Sequence, residues 1–177
     1  MTRIIALFRG LNVGGHKAPM AELRALLEEA GAKNVVTYIQ SGNAVFDSSA
    51  APARLAARIE KAFATHFGYD SPTVLRTLPD WRAAMQATPF KAEAKNHRAV
   101  HVGFFKAKPD PARTAALSVF ETGGDRLVVK GLEAHLLVPN GLARSKLANA
   151  LLTRNLGAPV TLRNWRTVEI LEKMAAG

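Results

Sequence analysis

Residues 3–31 read RIIALFRGLNVGGHKAPMAELRALLEEAG, and this stretch sets the pattern for the whole chain. Arg3–Arg9 is continuously apolar between its two arginines, as in a strand buried on both faces. Gly10, Asn12, Gly14 and Gly15 follow as a loop that also carries His16 and Lys17. Pro19 suits the first turn of a helix, where its missing N–H costs nothing. Leu23, Leu26, Leu27 and Ala30 recur at helical spacing, and Gly31 ends the run. The stretch is a strand, a glycine-rich basic loop and a helix.

Outward from there, Val35–Gln40 and Asn43–Asp47 are β-prone runs on either side of Ser41-Gly42, a hairpin signal. Pro52 to Phe67 is helical, with Leu55, Ile59, Ala62, Phe63 and Phe67 on one face. Pro72–Leu78 reads as a strand, and Asp80 is expected to cap a helix running to Met85. The second half repeats the order. Arg98–Lys106 is a strand, Pro109–Phe120 a helix, and Arg126–Lys130 and His135–Val138 two further strands. Arg144–Leu156 is a helix, Ala158–Leu162 a strand, and Asn164 caps a last helix. Leu78-Pro79-Asp80-Trp81-Arg82 and Leu162-Arg163-Asn164-Trp165-Arg166 close the two halves with a similar capping residue before Trp-Arg. The sequence therefore predicts an α+β fold of two ferredoxin-like βαββαβ units, each followed by a helix. Residues 1–88 and 89–177 form the two subdomains. Strands apolar on both faces imply that the units pack against each other, because a lone sheet of this kind leaves one face wet.

Bulk properties narrow the class. The chain has 177 residues, 48% of them hydrophobic and 21% charged, as in an ordinary soluble globular protein. It has no cysteine, which excludes disulfides, thiolate metal sites and a cysteine nucleophile. Its apolar runs are too short to span a bilayer, and the N-terminus reads as a strand and not a signal peptide. The expected location is cytoplasmic, with no membrane partner. The net charge is +10, and residues 140–177 alone carry six Lys/Arg against two Asp/Glu. Such a field attracts anions, including nucleic acid and phosphorylated small molecules.

The blocks LFRGLNVGG, PMAELRALLEEAG, TYIQSGNAVF, SKL and TLRNWRTV, in that order, resemble the bacterial family known as domain of unknown function 1697. The resemblance runs from about Ile4 to about Met174. It implies a stand-alone bacterial α+β protein with two subdomains, and it implies no activity. It carries over Arg9, Gly10, Asn12, Gly14 and Gly15, whereas His16 and Lys17 lie in a loop of variable length.

The candidate site residues are polar, basic or glycine. RGLNVGGHK is not a nucleotide-binding P-loop, because His16 precedes Lys17 and Ala18 stands where the hydroxyl is needed. Ala18 is nonetheless a poor cap, so the first helix presents unpaired N–H groups beside glycine backbone and Lys17. That combination suits an anion. Gln40 and Asn43 flank the hairpin tip and are further ligand candidates, while Gly42 is explained by turn chemistry. Ser145 is a helix cap and not a nucleophile, because Lys146 points about 100° away on a helix. Trp165 is a core residue with a bonded indole. Lys146 and Arg163, with Arg144 and Arg166 near them in sequence, are candidate phosphate contacts. The expected cleft sets Arg163 opposite the Gly10–Lys17 loop. The five histidines have no metal-ligand spacing, so neither metal nor cofactor is expected. The strands lack the aromatic signature of an RNA-recognition sheet. The preferred reading is a binding protein for an anionic ligand: a nucleotide, a nucleic acid or a phosphorylated metabolite. An enzyme acting on a phosphorylated small molecule and a structural or protein-interaction module are the alternatives.

Overall fold

The computed structural model of the protein describes all 177 residues. The first half contains β1 (Thr2–Phe8), α1 (Met20–Glu29), β2 (Lys33–Tyr38), β3 (Asn43–Ser48), α2 (Pro52–Phe67), β4 (Thr73–Thr77) and α3 (Leu78–Ala87). The second contains β5 (Val100–Phe105), α4 (Pro111–Ala115), β6 (Arg126–Lys130), β7 (Glu133–Leu137), α5 (Lys146–Thr153), β8 (Val160–Asn164) and α6 (Trp165–Ala176). Each half forms one four-stranded antiparallel sheet, ordered β2-β3-β1-β4 and β6-β7-β5-β8. The ferredoxin-like arrangement occurs twice. The compact units are Met1–Arg82 with Leu171–Gly177, and Ala83–Ile170.

In the first unit, Ile4, Ala6, Phe8, Ala44 and Phe46 form the sheet side of a core. Leu23 and Leu27 of α1 and Leu55, Ile59 and Phe63 of α2 form its helix side. Two-residue strand periodicity and the helical spacing of these leucines bring the apolar sets together. Ile5, Leu7 and Val45, on the opposite sheet face, are also fully buried. The apolar character of β1 is thus used on both sides. In the second unit Phe105, Ala134, Leu136 and Val160 pack against Leu147, Ala148 and Leu151 of α5.

Three local expectations change. Asp80 does not cap α3. Thr77 takes that position, its hydroxyl accepting from the Asp80 N–H at 3.3 Å and donating to Asp80 Oδ2 at 2.6 Å. The helix expected over Pro109–Phe120 is α-helical only through Ala115 and then tightens into a 3-10 turn, Ala116–Phe120. Thr114 Oγ1 donates to the carbonyls of Asp110 and Pro111, a back-bond that weakens a helix. Finally, Arg163 and Asn164 belong to β8, so the last strand ends two residues later than its apolar run suggests.

Three other expectations match local geometry. Ser145 Oγ accepts from the Ala148 N–H at 2.9 Å, capping α5. Asn164 Oδ1 accepts from the Thr167 N–H at 2.8 Å at the start of α6. Trp165 is buried, and its indole N–H donates to Glu169 at 3.0 Å.

Candidate functional site

At one end of the first sheet, the β1–α1 loop, the β2–β3 tip and the α2–β4 connection converge. The antiparallel register brings the end of β1 beside the starts of β3 and β4. The Arg9 N–H donates to the Pro72 carbonyl at 3.1 Å, and Ser71 Oγ donates to the Arg9 carbonyl at 2.8 Å. Asn12 ties the loop together. Its Nδ2 donates to the Gln40 carbonyl at 2.7 Å, and its Oδ1 accepts from the Ala18 N–H at 2.9 Å. Asn43 is fully buried and donates to Tyr38 O and Ser41 Oγ, both at 3.0 Å. The Asn12 and Asn43 side chains are therefore engaged within the fold.

Gly10, Gly14 and Gly15 all have positive φ, and a Cβ on any of them would meet nothing within 4 Å. Backbone conformation, not crowding, selects glycine there. Gly42 differs: its Cβ would lie 2.9 Å from Phe8 Cβ, so the hairpin tip packs directly on β1. His16 stacks on Tyr69 with ring centroids 4.3 Å apart. The Tyr69 hydroxyl is buried without a hydrogen-bond partner, and burial raises its pKa. Lys17 and Gln40 are exposed. No side chain caps α1, whose first turn carries Glu22, itself 2.8 Å from His66.

Arg163 has a different setting. It lies within β8 opposite Val102 and is buried. Its Nη1 donates to Thr161 Oγ1 at 2.7 Å and to the Leu162 carbonyl at 2.8 Å. Burial lowers its pKa to about 10. Arg76 holds the matching place in the first unit: next to last in β4, opposite Ile5, buried, and donating to the Leu75 carbonyl at 3.0 Å. The correspondence makes each arginine part of its sheet's construction.

Exposed cations gather elsewhere in the second unit. A groove of about 420 Å³ runs along α5, lined by Arg144, Lys146, Asn149, Thr153, Arg154 and Phe120 among others. Lys146, Asn149 and Thr153 share one helix face through three- and four-residue spacing. Arg154 stacks its guanidinium over the Phe120 ring, 4.6 Å from the centroid. No carboxylate is among the groove-lining residues. Asp125 is nearby but buried, where it accepts from Ser145 Oγ at 2.6 Å, and Glu121 Oε1 accepts from the Leu127 N–H at 2.9 Å.

The family model described as a protein of unknown function, DUF1697, matches residues 1–134. The chain belongs to the DUF1697 family. This DUF1697 chain is similar in structure to the conserved bacterial protein SP0830 of Streptococcus pneumoniae, with a TM-score of 0.81 and 28% identity over 98% of each chain. No curated protein matches it. No helix of the DUF1697 chain is long and apolar enough to cross a membrane.

Sequence reasoning singled out Lys146 and Arg144 and missed Arg154 and Phe120. Arg154 follows the last residue of α5 in extended backbone, so helical spacing from Lys146 does not mark it in the sequence. Nothing local marks Phe120, which reaches the groove from the 3-10 turn.

Proposed function

We propose that this DUF1697 chain binds a phosphate-bearing anion along the α5 groove. The observation that carries the reading is the alignment of exposed Arg144, Lys146 and Arg154 on a surface lined by no carboxylate. Like charges held together on a surface repel one another, and an anion relieves that repulsion. Arginine forks and a lysine ammonium supply complementary donors for phosphate oxygens. Binding is favoured over catalysis because the groove lining offers neither a histidine nor a carboxylate as general base. The Ser145 hydroxyl is occupied by Asp125 and the Ala148 N–H. Within the first unit, exposed Lys17 beside an α1 start that no side chain caps supports a separate, weaker anion contact.

Retention on phosphocellulose across a salt gradient tests this reading. The wild type should elute later than a neutral control of similar size, and Lys146→Ala and Arg154→Ala should each elute earlier than wild type. Wild-type elution with the control would refute the proposal.

A further inference from the structure

We propose that the α5 groove takes single-stranded nucleic acid, with phosphates passing Arg144 and Lys146 and one base stacking on the Arg154–Phe120 pair. The inference rests on the phosphate reading of that groove and specifies the ligand. Its first support is spacing. α5 has eight residues, about 12 Å of helix, with Lys146 at its start and Arg154 just past its end. Arg154 is held over Phe120 at the far end, so a chain of phosphates and bases matches the length of the groove better than one phosphate does.

The second support is the Arg154–Phe120 layer. A guanidinium plane over an aromatic ring forms a flat platform, and both Arg planes and aromatic rings are surfaces on which unpaired bases stack. Asn149 and Thr153 lie exposed between the cations and offer hydrogen bonds to sugar or base edges. The third support concerns where a base could go. Ferredoxin-like RNA binders stack bases on an open sheet face. Every residue of β5, the central strand here, is buried, so that surface is closed. The helix side of the unit is left as the available platform.

The test measures fluorescence anisotropy with the full chain and three labelled probes: a 15-nucleotide oligothymidylate (about one single-strand site), an abasic oligomer of the same length, and inorganic polyphosphate. The oligothymidylate should bind about tenfold more tightly than the abasic oligomer, the effect of one stacked base. Lys146→Ala should weaken both oligomers alike and reduce the salt slope by about one. Arg154→Lys combined with Phe120→Leu keeps the charge and removes both planes, so abasic binding should persist while the preference for bases disappears. Equal affinity for the two oligomers in the wild type would overturn the stacking proposal and leave the phosphate reading standing. A base preference that survives the Arg154→Lys, Phe120→Leu double substitution would overturn the assignment to this groove. Failure of all three probes to bind at low salt would defeat the phosphate reading itself.

Discussion

Acid should destabilise this protein through two buried histidines, and replacing His135 should remove about half of that sensitivity. His135 is fully buried on β7, opposite Val102, and neither ring nitrogen has a hydrogen-bond partner. Burial first, and then the charge of Lys130, lower its pKa to about 4 from 6.5. His101, on β5, is lowered to about 4 by burial, with Nδ1 unpartnered. Both folded pKa values lie below the unfolded value. The unfolded chain therefore takes up protons first as pH falls, and stability is lost from about pH 6.5 down to about pH 4. Linkage gives a loss of about 2 kcal/mol per histidine at pH 5 relative to pH 7.5, or about 4 kcal/mol for the pair. For a chain of this size that corresponds to a fall in Tm of roughly 8–16 °C. Thermal unfolding of wild type and His135→Leu between pH 7.5 and 5 tests the argument. The variant should match or exceed wild type at pH 7.5, because a leucine needs no hydrogen bond, and should show about half the acid-induced fall. A fall equal to that of wild type would show that His135 is not held neutral in the folded chain.

Trp165→Ala should cost about 3–5 kcal/mol, because it removes a buried aromatic and its bond to Glu169, and should appear as a lower Tm. Arg163→Ala should destabilise by about 1–3 kcal/mol through the partners it strands, Thr161 Oγ1 and the Leu162 carbonyl, while leaving retention on phosphocellulose close to wild type. Unchanged stability with lost retention would restore Arg163 as a ligand contact. Ile39→Gly should stabilise by about 1 kcal/mol, because Ile39 is a β-branched residue at φ 46 with half its surface exposed. An unchanged or lower denaturant midpoint would show that the tip is not strained in solution.

The element order followed from the sequence because strand and helix signals are short-range. The apolar run of β1, the Leu23–Leu26–Leu27 spacing and the Ser41-Gly42 turn each report on a few neighbouring residues, and so do the Ser145 and Asn164 caps. Those signals, repeated in the second half, specify two ferredoxin-like units from local sequence alone. The roles of polar residues were not determined in this way. Asn43 looks like a ligand contact at a hairpin tip, but it is buried and its amide N–H groups are taken by Tyr38 O and Ser41 Oγ inside the turn. Arg163 looks like a phosphate fork beside a tryptophan, but the register of β8 on β5 places it over buried sheet. Phe120 carries no mark of function until the 3-10 turn brings its ring under Arg154, thirty-four residues away in sequence. Local backbone preference is encoded within a turn or two of chain, so it can be read along the sequence. Whether a charged side chain meets solvent, a carbonyl or an aromatic face depends on residues brought together by strand register and helix packing, and that was decided only in the tertiary structure.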